Sequence, residues 1–210
     1  MARNYDLDTQ AAKDSNSGSK RIKESGKYVG KFTAAWYEQN DKGTESVHFL
    51  FQSNEGQEAG PLALYTHNGK GDTLPSYKTL NAIMTCLKVR GIKTAQGKVE
   101  LYDFASGGMV TKDKPTYPEL VNKPVGLVLQ REEYQKQDGS IGERMIIAGP
   151  FDPSTSKMAA EILNNTEASA LDNVLHYIEA TPVKVLRGAK HAATQAAPAD
   201  NSFTDDEIPF

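Results

Sequence analysis

The feature that most constrains the fold is a series of short apolar runs in the first third of the chain. Val47, Phe49 and Phe51 alternate with polar residues, and this alternation predicts a half-buried β-strand. Runs rich in β-branched and aromatic residues flank it at 27–39 and 61–67, and clusters of Asn, Asp and Gly separate the three runs. We therefore expect three consecutive strands joined by tight turns.

A helix and two more strands are predicted to follow. Apolar residues recur at helical spacing within 76–91, with Ser76 as the N-cap and Gly91 just past the helix end. The stretch 92–122 is loosely patterned, with KVELYDF as one short strand. The segments KPVGLVLQREEY and GERMIIAGPF are predicted strands on either side of a turn. A second helical region is expected around 171–178.

The predicted order is three strands, a helix and two strands. This is the order of an OB-fold, a five-stranded Greek-key barrel with a helix between strands 3 and 4, although many small α+β domains share it. We therefore expect a mainly β protein with helices, in the β or α+β class. Four segments are predicted: a flexible N-terminal arm (1–25), an OB-fold domain with a C-terminal helical extension (26–188), a flexible linker (189–203) and an acidic tip (204–210).

Composition and charge narrow the class of protein. No long apolar run and no apolar signal segment is present, so neither a membrane span nor secretion is expected. The single cysteine, Cys86, fits the cytoplasm, and its place in the predicted helix favours a small core residue. Residues 189–210 carry one lysine and four acids, and thus hold the whole net charge of −3. The neutral body can still carry a basic groove, because the local field decides nucleic-acid binding.

The last six residues, DDEIPF, predict a docking peptide. The three acids attract a basic partner over long range, Ile208 and Phe210 supply apolar anchors, and Pro209 lowers the entropic cost of binding. The terminal carboxylate is a further group that an Arg or a backbone nest can hold. The alternative is a merely solubilising tail, which does not require a terminal Ile-Pro-Phe. The predicted docking residues are Asp205, Asp206, Glu207, Ile208, Pro209 and Phe210.

This tip resembles the acidic C-terminal tip of bacterial single-stranded DNA-binding proteins. The body, above all NKPVGLVLQREEY, resembles phage-encoded single-stranded DNA-binding proteins. The resemblance implies a sequence-tolerant, non-enzymatic protein that protects single-stranded DNA during replication, recombination and repair in the bacterial cytoplasm. It also implies that host or phage replication, recombination and repair proteins dock on the tip, and it implies no cofactor. The tetramer of the bacterial family is not implied, and a homodimer remains open.

Binding of single strands requires aromatic platforms for the bases and a cationic track for the phosphates. Both residue types occur in the first three predicted strands, near the end of the predicted helix, and in the turn between the last two strands. That turn helps to line the binding groove in OB-folds. The candidate DNA-binding residues are Lys31, Trp36, Tyr37, Tyr65, Lys88, Arg90, Lys93, Arg131, Tyr134 and Lys136.

Many of the aromatic residues must instead be core in a domain of this size, and the alternating Phe residues of the second strand are assigned there. Strict alternation along 27–39 puts Phe32 and Trp36 on one face, so Trp36 is either core or platform. The same alternation puts Lys31 and Tyr37 on the opposite face, where exposure is expected.

No catalytic motif is recognised. NGKGDT does not satisfy the phosphate-loop pattern, and the four histidines show no metal-ligand spacing. Two other function classes remain open. One is a nuclease or recombination enzyme that uses the tip to reach the replication fork. The other is an adaptor or decoy that occupies the host proteins which bind such tips.

Overall fold

The computed structural model describes residues 21–103, 106–136 and 138–186, together with Leu7 and Thr9. This part of the chain is mainly β with a few helices, which confirms the expected class. The elements are β1 (Gly26–Gln39), β2 (Glu45–Ser53), β3 (Glu58–His67), α1 (Ser76–Cys86), β4 (Ala95–Asp103), β5 (Gly108–Thr116), a 3-10 turn (Pro118–Leu120), β6 (Pro124–Gln135), β7 (Ile141–Phe151), α2 (Ala159–Asn164), α3 (Ala170–Ala180) and β8 (Val183–Val185).

Strand β1 organises the sheet, because two different strands pair with its two halves. Its residues 30–39 pair antiparallel with β2, and its residues 26–31 pair antiparallel with β6. Antiparallel pairing continues from β2 to β3 and from β6 to β7. Helix α1 contacts both β3 and β7, the two outer strands of this array. No backbone pairing joins the described residues of β3 and β7, so the sheet is open.

Two local features let β1 change partners. Gly30 pairs with both β2 and β6, and a Cβ at this position would lie 2.0 Å from the carbonyl oxygen of Gln52. Only glycine permits so close an approach of the two backbones. A β-bulge follows between Phe32 and Ala34. The extra residue bends the strand. Each later side chain therefore lies on the face opposite to the one that strict alternation predicts.

The main core lies on one face of the strands β3, β2, β1, β6 and β7, which we call the inner face. The opposite face is the outer face. Phe32 of β1 and Phe49 of β2 are fully buried, and their ring centroids lie 4.5 Å apart. Phe51 meets the ring of Phe32 edge-on at 6.1 Å, so the assignment of the β2 Phe residues to the core is confirmed. Ile83 of α1 and Leu127 of β6 belong to the same cluster. Burial of each such side chain stabilises the fold by about 1.5–3 kcal/mol.

A second, smaller core lies on the other face of β6. Val128 of β6 and Phe151 of β7 pack with Leu171 and Ile178 of α3. The first half of β6 is therefore buried on both faces, which explains its continuous apolar run at 124–129. The packing confirms the predicted C-terminal helical region.

Glu161 joins α2 to α3. Its side chain is buried, and it accepts hydrogen bonds from the backbone N–H groups of Met158 at 2.9 Å and Ala170 at 2.8 Å, and from Ser169. Burial opposes ionisation of the carboxyl group, but these donors outweigh it and lower the pKa of Glu161. One ionised carboxylate thus satisfies the free N–H groups at the starts of both helices.

Strands β4 and β5 form a hairpin inserted between α1 and β6. They pair along their whole length, whereas β5 meets β1 at a single residue pair, Trp36 with Thr116. The predicted strand KVELYDF overlaps β4. Strand β5 was not predicted, because the Gly108–Thr116 segment is rich in glycine, lysine, aspartate and proline, all poor strand formers.

The described residues correct two expectations. The β4–β5 hairpin and the short strand β8, which runs parallel to β6, bring the number of strands to eight rather than five. Ile22 is 2 % exposed in the main core, and its N–H donates to the carbonyl oxygen of Glu58 at 2.8 Å. Residues 21–25 therefore belong to the domain and not to a flexible arm. Apart from Leu7 and Thr9, the remainder of the arm lies outside the described residues, as do the linker and the tip.

Helix α1 is shorter than the sequence predicts. It ends at Cys86, because Lys88 adopts the left-handed conformation with φ of 56°, and Gly91 therefore plays no part in its C-terminus. The residue in the N-cap position is Pro75 rather than Ser76. No helix in the described part of the chain is long and apolar enough to cross a bilayer.

We expect Ile22→Ala to lower the free energy of unfolding by about 2–5 kcal/mol, because it removes buried methyl groups from the main core. Urea denaturation followed by circular dichroism measures the change. Lys23→Ala, at the exposed neighbouring position, is the matched control and should change stability by less than about 0.5 kcal/mol. Equal stability of the two variants would show that residues 21–25 are not part of the folded domain.

Candidate nucleic-acid interface

The outer face of β1, β2 and β3 carries an exposed aromatic residue and an exposed cation. Tyr65 of β3 is 41 % exposed, and it stands in one cross-strand row with Ser46 of β2 and Glu38 of β1. Lys31 of β1 is exposed on the same face, opposite Gln52 of β2. Along β1, the distance from this lysine to the row of Tyr65 is roughly 20 Å. A face of this length can hold several nucleotides.

Trp36 lies on this outer face but is only 1 % exposed. Its ring stacks on His48 with centroids 5.4 Å apart, and its Nε1 donates to Glu38 Oε1 at 3.0 Å. Lys114 of β5 donates to the same carboxylate oxygen at 2.8 Å and so fastens the hairpin to this face. Trp36 therefore offers no accessible ring face, and its position does not support the prediction that it is a stacking platform.

Glu38 is the centre of a compact charge network. Burial opposes its ionisation, but hydrogen bonds from Lys114 and Trp36 outweigh this effect and lower the pKa of Glu38. His48 Nε2 lies 3.5 Å from Glu38 Oε2 and 2.9 Å from the hydroxyl of Ser46. Burial lowers the pKa of His48 below its ordinary value of 6.5, although Glu38 acts in the opposite direction. At pH 7 the network therefore combines an ionised glutamate with a mostly neutral histidine.

The bulge in β1 explains why two face assignments were wrong. Strict alternation predicts that Tyr37 is exposed, but the extra residue after Phe32 shifts the alternation by one position. Ala35 consequently pairs with Phe49 in the core, and Tyr37 lies on the same inner face, where it is only partly exposed. Trp36 takes the outer face instead. A bulge of this kind leaves no clear signal in a single sequence.

A shallow polar groove lies beside Lys31. It has a volume of about 390 Å³, and its lining residues include Gln52, Asn54 and Asn122, whose side chains are amides. A second groove of about 310 Å³ adjoins it at Asn54 and adds Lys27. Amides can donate to and accept from base edges, and lysines attract phosphates. The amides were not predicted as contacts, because base stacking and phosphate binding point to aromatic and basic side chains. Lys27 was not among the predicted contacts either.

The loop after α1 brings three predicted cations into one stretch of chain. Lys88, Arg90 and Lys93 are all exposed. Asp152 partly offsets their charge, since Lys88 Nζ lies 3.6 Å from Asp152 Oδ2. The backbone N–H of Lys93 donates to Glu119 Oε1 at 3.3 Å. The loop can therefore contact phosphates, but it carries no aromatic platform among these residues.

The β6–β7 hairpin places Tyr134 in a packed setting. A Cβ on Gly142 would lie 2.6 Å from Cζ of Tyr134, and the guanidinium carbon of Arg144 lies 5.2 Å from the ring centroid. The phenol ring thus packs between a glycine backbone and a cation, and it is only partly exposed. Arg144, with 43 % of its side chain exposed, is the group that faces solvent here.

Glu132 holds Arg144 in place. The Glu132 side chain is buried, and it accepts a hydrogen bond from Arg144 Nε at 2.6 Å. Lys184 of β8 lies 3.8 Å from its other carboxylate oxygen. A guanidinium that is fixed in this way can bind a phosphate in bidentate geometry or stack on a base with little loss of conformational entropy. Arg144 is therefore a better candidate contact than the tyrosine beneath it.

The predicted DNA-binding residues thus fall into three groups. No hydrogen bond, ion pair or ring contact between described residues joins one group to another. The groups are Lys31, Trp36, Tyr37 and Tyr65 on β1 and β3; Lys88, Arg90 and Lys93 after α1; and Arg131, Tyr134 and Lys136 on β6 and its turn.

The described residues offer neither a cluster of metal ligands nor a reactive thiol. These residues contain no group of three or more His, Cys, Asp or Glu side chains that could hold a metal ion. Cys86 is buried, and burial, followed by the charge of Asp152, raises the pKa of its thiol to about 12. It is therefore a core residue, as predicted, and not an activated nucleophile.

We expect the stability of His48→Gln to change less with pH than the stability of the wild type. A histidine whose pKa is lowered by folding stabilises the fold fully above the ordinary value of 6.5, and this contribution is lost as the pH falls through that value towards the folded pKa. Thermal melts between about pH 7.5 and 5 should thus fall more steeply for the wild type than for the variant. His176→Gln, at an exposed position of α3, is the control and should keep the wild-type slope. Identical slopes for all three proteins would contradict the assignment.

No protein-family model matches the chain, and no curated protein is similar to it. The candidate interface therefore rests on the geometry of the described residues.

Proposed function

We propose that the protein is a sequence-tolerant, non-enzymatic single-stranded DNA-binding protein built on an OB-fold. It protects single strands during phage or host DNA replication, recombination and repair in the bacterial cytoplasm. Its C-terminal tip, 204–210, recruits replication, recombination and repair proteins. The observation that carries the proposal is the exchange of partners along β1, which pairs with β2 through one half and with β6 through the other.

The strand connections support the OB-fold. In that fold the first strand pairs with the second and the fourth, and a helix lies between the third and the fourth. If the β4–β5 hairpin is treated as an insertion, then β1, β2, β3, α1, β6 and β7 follow this order and this pairing. The open junction between β3 and β7 is compatible with it, because OB barrels are often partly open.

The surface chemistry supports a single-stranded ligand. OB-folds bind oligonucleotides on the face of strands 2 and 3 and on the loops that follow strands 1 and 4. Here that face carries Tyr65, and the hairpin after the fourth barrel strand carries the fixed guanidinium of Arg144. An exposed aromatic ring suits an unpaired base, whose flat face is accessible only when the strand is single.

The sequence of the tip supports recruitment of partners. The residues DDEIPF combine three acids with the apolar anchors Ile208 and Phe210. A short peptide of this kind binds a basic, apolar pocket through charge attraction and one or two buried side chains.

We expect Tyr65→Ala to weaken binding of oligo-dT by about 1–3 kcal/mol, the usual cost of one lost base stack. Fluorescence anisotropy with a labelled oligonucleotide measures it, and the slope of log affinity against log salt should be about −0.7 per phosphate contacted. Tyr177→Ala, which removes a tyrosine of similar exposure from α3, is the matched control.

Duplex DNA of the same length should bind far more weakly than the single strand. The oligonucleotide should also remain intact in Mg²⁺, since no catalytic role is proposed. Equal affinity for both forms of DNA would overturn the proposal, and metal-dependent degradation would favour the nuclease alternative.

We expect deletion of Asp205–Phe210 to abolish capture of host replication and repair proteins while single-strand binding stays intact or becomes slightly tighter. Phe210→Ala alone should cause most of the loss, because a central apolar anchor usually dominates a small interface. Pull-downs from bacterial lysate compare the full chain, the truncation and the point variant, with Ser202→Ala, in the segment before the tip, as the control. Retention of the same partners by every protein would reduce the tip to a solubilising tail.

A further inference from the structure

Strand β4 is an edge strand of the described sheet. It pairs with β5 on one side, and among the described residues no strand pairs with its other side. It is nine residues long, contains no proline, and pairs with β5 without a bulge. Proteins usually protect such an edge with a proline, a bulge, charged side chains or a covering segment, because its free backbone groups are a template for another strand. Strand β4 carries charged side chains, Lys98 and Glu100 among them.

The β4–β5 hairpin has few links to the remainder of its own chain, although Val99 of β4 is buried. A single residue pair, Trp36 with Thr116, links it to β1 in the sheet, and one ion pair, Lys114 with Glu38, fastens it to the outer face. An isolated two-stranded hairpin is marginally stable in water, and three or more strands are needed for independent stability. An additional strand on the β4 edge would supply what the hairpin lacks.

The sequence of β4 is complementary to itself. If two copies of β4 pair antiparallel with Val99 opposite Val99 of the second copy, Lys98 of each chain lies opposite Glu100 of the other. Both side chains are exposed, and they project from the same face of the strand. The two-fold axis then creates two opposite-charge cross-strand pairs, which favour this register over its neighbours.

The same register would place the exposed ring of Tyr102 against the second copy. Tyr102 is 54 % exposed on the face that carries Lys98 and Glu100. In the paired arrangement it lies opposite Gln96 of the second copy and diagonal to Lys98 of that copy. The aliphatic stem of a lysine can cover an aromatic ring at this distance.

From these observations we infer that β4 is a homodimerisation edge, at which two chains join their hairpins into one four-stranded sheet in the order β5-β4-β4-β5. The occupant is a second copy of this chain, since the alternating Lys98 and Glu100 match their own reversed sequence. The inference is independent of DNA binding, because it uses the hairpin and not the face of Tyr65.

Charge reversal and charge exchange test this edge directly. Without DNA, the wild type should have a mass of about twice 22.9 kDa by light scattering at roughly 1–100 µM protein. Lys98→Glu and Glu100→Lys should each raise the dimer dissociation constant by roughly tenfold or more, because both cross-strand pairs become repulsive. The double variant K98E/E100K should restore the dimer, since each glutamate again faces a lysine.

The double variant also separates dimerisation from damage to the hairpin itself. Within one chain Lys98 stands opposite Asp113, so Lys98→Glu creates the same repulsion with Asp113 in the single and in the double variant. Lys78→Glu on α1 is the control for a change of charge alone and should remain dimeric. Amide hydrogen exchange should show protection of alternate β4 N–H groups in the wild type and the loss of that protection in each single variant.

A monomeric wild type over the whole concentration range would overturn the inference. So would a Lys98→Glu chain that dimerises as tightly as the wild type, or a double variant that stays monomeric. None of these results depends on whether the protein binds single-stranded DNA, so failure here and failure of the proposed function can be told apart.

Discussion

The structure depends on the way β1 is shared between two partners. One strand pairs with β2 and with β6, so the two antiparallel units β2–β3 and β6–β7 are held by a common backbone. The exchange point requires Gly30, because any Cβ there would collide with the backbone of Gln52. The bulge that follows bends the strand and turns Ala35 inward and Trp36 outward. Both the main core and the outer face therefore follow from a few residues of one strand.

Much of the fold could be predicted from the sequence where the hydrophobic period is strong. The alternation in β2 identified Phe49 and Phe51 as core, and the helical spacing near the C-terminus identified α3. Prediction failed where a structural feature leaves no periodic hydrophobic pattern in the sequence. The bulge in β1 changed the face of Tyr37 and Trp36, and the polar strand β5 is held by its partner β4 rather than by a buried face of its own.

The candidate site was harder to predict than the fold, because exposure depends on what packs above a side chain. Tyr134 looks like an accessible platform in the sequence, yet Arg144 lies over its ring. That arrangement requires Glu132, a buried acid whose cost of desolvation is offset by Arg144 and Lys184. No local pattern connects these residues, since they come from three different strands. Residue type alone identified the β6–β7 hairpin as a candidate, but it did not identify Arg144 as the group that faces solvent.

The position of the last described residues links the two parts of the proposed function, which are single-strand binding and recruitment of partners through the tip. Strand β8 runs parallel to β6 beside residues 131–133, and the N–H of Leu186 donates to the carbonyl oxygen of Glu133 at 3.0 Å. The last described residue, Leu186, thus lies next to the hairpin that carries Arg144 and Lys136. A tethered acidic peptide has a high effective concentration near its point of attachment. Under the proposed function, the cations of this hairpin are accordingly the ones for which the tip competes most with DNA, and salt weakens that competition because it screens exposed charges.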